Sequence, residues 1–293
     1  MNVLKYIAKR ASKCLPWTIQ DRFVFFLKLG YFPKIKKPLT FNEKVLFRKQ
    51  YLMLDIKYKY LSDKLLVRDY VRERIGDDYF VPLLYHTTSP DTLLNCSPQC
   101  DVMLKPNHGA GMFRVVRAAD YDVEKKEIVS LCKKWLQIDF SQVQREIQYK
   151  NIARQILVEK LLGNGLIAPT DYKFHMFRNR EGGFKFVLQI INERFTGVLS
   201  RTFYVNGFDK PFDMYDGDTK NSTISTFCHV DKPLAAKALR LSCLLAIDFD
   251  YVRVDWYIHD GELFFSELTF TPAAGFGVGY GAKLDKLMGD FWI

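Results

Sequence analysis

Asp255, Glu267 and Thr269 are oxygen-bearing side chains set among strand-forming residues, a combination that points to a metal site. Two runs rich in Val, Tyr, Phe and Ile flank the turn sequence His259-Asp260-Gly261 and read as an antiparallel hairpin. Glu267 and Thr269 are two apart on the second strand and therefore point to one face. Carboxylates in apolar surroundings are costly unless paired or bound to a cation, and oxygen ligands of this kind suit Mg²⁺ held jointly with nucleotide phosphates. The competing arrangement is a sheet with solvated acids on its outer face.

The hairpin carries a geometric demand. Residues facing each other across an antiparallel pair have a constant sum of numbers, and Asp255 shares a face with Glu267 only if that sum is even. A two-residue Asp260-Gly261 turn pairs His259 with Glu262 and gives an odd sum, which sends the carboxylates to opposite faces. The expectation is therefore a three-residue loop, with Gly261 supplying the positive φ.

Three other places have residues suited to nucleotide chemistry. Leu104-Lys-Pro-Asn-His-Gly-Ala-Gly111 reads as a strand delivering Lys105 into a small-residue loop, where Gly109 and Gly111 let backbone N–H groups approach phosphate oxygens. It is not a Walker A loop, because the lysine precedes the glycines. Glu159 ends the strand-like run Ile156-Leu-Val-Glu159, at a position that serves either an adenine-ribose end or solvent. Asp171-Tyr-Lys173 opens another strand with Asp171 and Lys173 on one face, toward a cleft or toward water. No Ser-His-Asp or Cys-His arrangement is apparent.

The elements that must position these residues are mixed. Residues 1–57 read as helical and basic, with breaks at 30–33 and at Lys36-Lys37-Pro38. Thr40-x-x-Glu43 has the spacing of a capping box opening a helix through Lys49. A helix is predicted over 62–75, capped by Ser62 and stopped by Gly76. Short strands are predicted at 79–81 and 101–104, a mostly helical stretch at 124–155, a strand at 155–158, and a sheet-rich half from about Tyr172. Several antiparallel pairs with helices argue for α+β.

The 293 residues carry a net charge of +10. Twelve Lys and Arg lie in residues 1–50 against only Asp21 and Glu43, so the excess is confined there and the remaining chain is neutral. Leu4, Ile7, Ala8, Ala11 and Leu15 form a helical stripe beside Lys5, Lys9, Arg10 and Lys13. Such a helix lies on an anionic membrane surface or packs on the body with its basic face solvated. The 23–27 apolar run is too short to span a bilayer and no cleavage pattern follows a long apolar core, so the expectation is a cytoplasmic protein, peripheral to the inner membrane face on the first reading. The six cysteines are scattered, which argues for reduced thiols, and Cys96-x-x-x-Cys100 lacks the second ligand pair that structural zinc requires.

The order of these pieces resembles the ATP-grasp fold, and the motifs resemble the TupA-like ATP-grasp family. They are Pro38-Leu-Thr-Phe-Asn-Glu-Lys44, Ser62-Asp-Lys64 with Arg68, Leu104-Lys-Pro-Asn-His-Gly109, Asp171-Tyr-Lys173, Val252-Arg-Val-Asp-Trp-Tyr257 and Ser266-Glu-Leu-Thr-Phe-Thr-Pro272, the last two being the most specific. Residues 1–37 are not covered. The resemblance implies two α+β subdomains clasping ATP, 58–155 with the glycine loop and 156–293 with the adenine and Mg²⁺ residues, behind the basic helical segment 1–57. It implies that Lys64 and Lys105 approach the phosphates, that His108, Gly109 and Gly111 close over them, and that Glu159, Asp171 and Lys173 complete the nucleotide site. Asp255, Glu267 and Thr269 would hold Mg²⁺, with Thr269 standing where many ATP-grasp enzymes have Asn. The reaction implied is ligation through an acyl phosphate, with Lys105 and Arg253 stabilising developing charge.

TupA-like proteins are linked to acidic cell-surface polymers. That implies an amino acid or similar amine joined to a uronic acid of a polysaccharide or of its lipid-linked precursor, with Arg114, Arg117, Arg194 and Arg201 as candidates for gripping the carboxylate. Two rivals remain: a kinase or glycosyltransferase acting on the same glycans, and a non-catalytic nucleic-acid-binding protein. Neutrality beyond residue 50 and the lack of a nucleic-acid module count against the latter.

Overall fold

The computed structural model describes residues 15–163, 165, 169–192, 200–213 and 230–293; most of the amphipathic stripe expected at 4–15, and Arg194, lie outside them. The described chain opens with helices α1 (Trp17–Leu29) and α2 (Phe41–Tyr51). The capping box forms as its spacing requires. Thr40 Oγ1 accepts the Glu43 N–H at 3.3 Å, and the Glu43 carboxylate accepts the N–H groups of Thr40 at 3.2 Å and of Lys34 and Leu39 at 2.8 Å each. One buried carboxylate thus satisfies three backbone donors and ties the loop before α2 to the helix start.

The single helix expected over 62–75 is broken into α3 (Ile56–Ser62) and α4 (Val67–Ile75), and Ser62 ends the former instead of capping the latter. Asp63 instead organises the turn between the two helices. Its Oδ1 accepts from Leu65 at 2.8 Å and Leu66 at 3.3 Å, a local alternative to continuing the helix. The break releases Lys64 toward the site.

A four-stranded antiparallel sheet follows, built from β1 (Leu83–Thr87), β2 (Val102–Pro106), β3 (Arg114–Val116) and β4 (Ile156–Lys160) in the order β1-β4-β2-β3. Helix α5 (Tyr121–Gln137) buries Ile128, Val129, Cys132 and Trp135 against Val102, Leu104, Val116 and Val158. Two expectations change here. The strand expected at 79–81 is a single parallel bridge from Phe80 to Phe265. The helix expected over 124–155 stops at Gln137, because Asp139 takes the N–H and hydroxyl of Ser141, at 3.1 and 2.6 Å, and the short α6 (Ser141–Gln144) ends at a left-handed Arg145. β4 starts where expected, but its partners are β1 and β2, so it completes the first sheet instead of opening the second half at 156.

The second sheet contains β5 (Thr170–Arg178), β6 (Phe184–Asn192), β7 (Ser200–Val205), β8 (Tyr251–His259) and β9 (Glu262–Thr269) in the order β7-β6-β5-β8-β9. One face is apolar along its length: Phe174, Met176, Leu188, Val254 and Trp256 meet α7 (Lys232–Ala246), where Trp256 Nε1 donates to Ser242 Oγ at 2.9 Å. The other face changes character. Around Phe177 and Tyr251 it is aromatic and lies against Phe41 of α2 and Leu284 and Met288 of α8 (Gly281–Phe291), whereas farther along it bears Lys173, Arg253 and Asp255. The charged groups therefore stand on a strand framework fixed from both sides.

Gly289 in α8 tests this packing. A Cβ there would come within 2.2 Å of the Leu39 carbonyl oxygen and 2.8 Å of Thr40 Cα. Helix propensity alone favours Gly289→Ala by about 1 kcal/mol, but the obstructing atoms are backbone and cannot rotate away. Urea unfolding is expected to show a net loss of about 2 kcal/mol, and a stabilised variant would mean that α8 does not rest on the start of α2.

Candidate active site

The β8–β9 hairpin turns on two residues, not three. Asp260 (φ 50) and Gly261 (φ 75) form the turn, with His259 opposite Glu262. Positive φ at both central positions gives a twist that matches the flanking strands. The odd pairing persists to Trp256 opposite Phe265, and then Ser266 is left over as a β-bulge, after which Asp255 faces Glu267 and Arg253 faces Thr269. The shared carboxylate face exists, but a bulge supplies the parity that the loop was expected to supply.

Pairing across β6, β5, β8 and β9 lines up Gln189, Lys173, Asp255 and Glu267 in one row. The adjacent row contains His175, Arg253 and Thr269. Asp255 has no exposed surface. Arg253 donates to both of its oxygens, through Nε and Nη2 at 2.7 Å each, and Lys173 Nζ reaches the same carboxylate while lying 2.9 Å from Asp171. Burial pushes the Asp255 pKa up, yet Arg253 and Lys173 outweigh burial and hold it below the ordinary value. Glu267 is likewise lowered, burial being overcome chiefly by Lys64, 3.7 Å away. His175, fully buried beside this cluster, is held well below its usual pKa by burial and by Arg253, so it remains neutral and bonds to the Tyr251 hydroxyl at 2.9 Å.

Arg253 Nη2 also lies 3.3 Å from Glu267 Oε1 and 3.0 Å from Thr269 Oγ1. A cationic nitrogen of the chain thus stands where two carboxylates and a hydroxyl converge. That donor set fits Mg²⁺, and a metal taking it competes with Arg253 for the same oxygens. Among the described residues no three His, Cys, Asp or Glu side chains gather as a metal cluster.

The first sheet supplies the opposing wall. Lys105 pairs with Glu159 at 2.6 Å, and Arg68, stacked over Phe80 at 4.2 Å, lies 3.9 Å from the same carboxylate. Lys64 Nζ donates to the Gly109 carbonyl, linking the α3–α4 break to the glycine loop. Burial lowers the Lys64 pKa and neighbouring Lys105 lowers it further, against the opposing pull of Glu267. Asn107 locks the wall together: its amide donates to Asp63 at 2.8 Å and to the Ala153 carbonyl at 2.9 Å, and its Oδ1 accepts from Gln155 at 2.8 Å. Gly109 has φ 98, and a Cβ there would sit 2.5 Å from the Phe140 ring. Both conformation and space demand glycine at that position.

Two clefts open beside this cluster. The first lies between the sheets, with apolar walls at Val81, Met103 and Leu162 and polar groups at Lys105, Glu159 and Asp171. The second is lined, among the described residues, by Lys173, Arg201, Arg253, Gln189 and Tyr280 and by residues 276–279. Ile191 borders both.

Of the expected residues, Lys105, Glu159 and Asp171 line the first cleft and Lys173 and Arg253 the second, Asp255, Glu267 and Thr269 bond to Arg253, Lys64 links Glu267 to Gly109, and Gly111, with φ 75, continues the loop. His108 differs from expectation. Its ring is buried, with Nε2 3.2 Å from the Ile138 carbonyl and Nδ1 3.4 Å from Asn107 Oδ1, so it props the loop from beneath. Arg114 and Arg117 are paired with Glu124 and Asp101 and are not among the residues that line either cleft, whereas Arg201 lines the second cleft. Gln189, Tyr280 and the 276–279 backbone were not anticipated. Their signal was glycine at every second position from Gly275 to Gly281, immediately after the last motif.

The family model described as TupA-like ATPgrasp matches residues 43–293. No curated protein matches the chain in sequence. Among solved structures it is similar to the D-alanine-D-alanine ligase from Helicobacter pylori, at 13% identity and TM-score 0.48 over 80% of this chain and 61% of that one. It is also similar to the D-alanine-D-alanine ligase from Bacillus anthracis, at 15% identity and TM-score 0.40 over 79% and 67%. N5-carboxyaminoimidazole ribonucleotide synthetase from Thermus thermophilus matches at 15% identity and TM-score 0.41 over 72% and 46%. The chain spans about three fifths of the Helicobacter enzyme and under half of the Thermus one.

Because the folded pKa of Asp255 is depressed, its contribution to stability is fully present above the ordinary carboxylate pKa and is lost as pH falls through the lower folded value. Asp255→Asn is expected to cost about 3 kcal/mol at pH 7, by leaving buried cations under-compensated. Measured by urea unfolding, the gap to the parent protein should narrow on acidification below about pH 4. A gap of the same size at pH 7 and pH 3 would count against an ionised Asp255.

Proposed function

The chain belongs to the TupA-like ATP-grasp family, and on that premise we propose that it is an ATP-dependent carboxylate-amine ligase working through an acyl phosphate. The observation that carries this reading is the ion-pair network that links Asp171 on the first cleft to Lys173 and Arg253 on the second through the buried Asp255. The first cleft has apolar walls for a base and is lined by Lys105, and Lys64, bonded to the Gly109 carbonyl, would join Lys105 in neutralising phosphate charge. Asp255, Glu267 and Thr269 would hold Mg²⁺, which when bound supplies Lewis-acid screening of the phosphates.

The second cleft supports an anionic co-substrate. Three cations, Lys173, Arg201 and Arg253, line it among the described residues, and Ile191 borders both it and the first cleft. In the proposed reaction a carboxylate oxygen of this co-substrate attacks the γ-phosphorus of ATP, forming a C–O–P linkage and releasing ADP. An amine then forms the amide and expels phosphate. Arg253 and Lys105 counter the charge that develops in both steps, and no covalent nucleophile from the chain is needed. For the co-substrate we take a uronic acid of a cell-surface polysaccharide or its lipid-linked precursor, and for the amine an amino acid or similar compound, in the cytoplasm. The family link and the charge of the second cleft support that choice.

Glu267→Gln is expected to lower acceptor-dependent release of ADP and phosphate by roughly 100-fold without altering the circular dichroism. Arg201→Ala should raise the KM for a uronic acid acceptor roughly tenfold and leave the KM for ATP unchanged. Mass spectrometry of the product decides the reaction class: an amide supports ligation, and a phosphorylated or glycosylated glycan would replace it.

A further inference from the structure

Away from both clefts, α1 presents an apolar stripe on its solvent side. Ile19, Phe23, Phe26 and Leu27 recur at i, i+4, i+7 and i+8, opposite the buried Asp21 and Phe25, and are 39%, 49%, 39% and 79% exposed. Phe32, just beyond the helix and 57% exposed, stacks on Phe26 with ring centroids 4.5 Å apart and meets Phe23 edge-on at 6.4 Å. Three phenylalanines thus cluster on the outside of the molecule, a cost in water that an occupant would remove.

The charges around them are of one sign. The exposed charged residues between 15 and 37 are Arg22, Lys28, Lys34, Lys36 and Lys37. The one acid in that stretch, Asp21, points inward to Lys49 at 2.9 Å and to Arg145. A second copy of this chain would bring the same cations against each other, which opposes self-association through this face. A bilayer bearing acidic headgroups offers the complementary charge, and it accepts aromatic side chains without demanding a matched shape.

We propose that this face docks on an anionic lipid surface. Phe23, Phe26, Leu27 and Phe32 enter the boundary between headgroups and acyl chains, while Arg22, Lys34, Lys36 and Lys37 meet lipid phosphates. On its inner side α1 seats Phe25 against Ala274 and Phe276, which also belongs to the lining of the second cleft, so docking would hold that cleft close to the membrane surface. The surface stands independently of the reaction proposed above.

Sedimentation of the full chain with phosphatidylcholine vesicles, with and without phosphatidylglycerol, tests it. The parent protein is expected to bind the phosphatidylglycerol vesicles and to be released by salt. The Phe23→Ser, Phe26→Ser, Phe32→Ser triple variant, checked for an unchanged unfolding transition, should bind at least roughly tenfold more weakly. Arg22→Gln, Lys36→Gln, Lys37→Gln should lose the preference for the acidic lipid. Equal binding to both vesicle types would overturn the proposal, as would parental affinity in both variants, which assigns binding to residues 1–14. Conversion of a dimer to a monomer by the phenylalanine substitutions, with vesicle binding unchanged, would identify the face as a protein interface.

Discussion

The buried charge of Asp255 is the constraint around which the second sheet is arranged. A carboxylate with no exposed surface is tolerated only where cations and hydrogen bonds replace its lost water. Lys173 and Arg253 do so from the neighbouring strand and from the same strand, and Glu267 and Lys64 extend the network to β9 and to the first sheet. Each of these side chains needs its own backbone to be fixed. The aromatic packing of Phe41, Phe177 and Tyr251 under one end of the sheet face, and of α7 over the opposite face, provides that fixity.

The network is rich in cations. Lys64, Arg68, Lys105, Lys173 and Arg253 pair with Glu159, Asp171, Asp255 and Glu267. The acids and bases of the network satisfy one another. On the proposed function, phosphate would compete with Glu159 for Lys105, and a divalent cation would compete with Arg253 for Asp255, Glu267 and Thr269. Binding would then be an exchange of partners among pre-positioned groups, which costs less reorganisation than building a site from solvated side chains.

How much of this could be seen in the sequence depended on the range of the interaction involved. The capping box at Thr40 and Glu43 is a contact between residues three apart, and it formed as its spacing required. The common face of Glu267 and Thr269 follows from strand periodicity alone. The means of bringing Asp255 opposite Glu267 was not legible, because a two-residue turn with a bulge at Ser266 and a three-residue loop satisfy the same parity. The break at 62–67 was hidden because Asp63 reads as an ordinary early helix residue until Asn107, forty-four positions away, is seen to hold its other oxygen. His108 precedes the glycine loop but is buried, with Nε2 near the Ile138 carbonyl, again a partner distant in sequence.

The same distance effect changes the standing of the N-terminal helices. Read from composition, residues 1–57 are a basic segment placed before the catalytic body. In the fold, Asn42 of α2 receives the Gly277 N–H at 2.8 Å, donates to the Gly277 carbonyl at 3.2 Å, and bonds Asp285 through both its backbone and side-chain amides. Ala273, Ala274 and Gly275 run in left-handed conformation at φ 51, 53 and 80, and a Cβ on Gly275 would lie 2.9 Å from the Leu46 nitrogen. Two consecutive alanines with positive φ are strained and persist only where surrounding contacts over-determine them. Those contacts come from α1 and α2, through Phe25, Asn42 and Leu46. The helices that look like an appendage in the sequence are thus what holds one wall of the second cleft in shape, so the charge they carry and the pocket they support cannot be assigned to separate parts of the molecule.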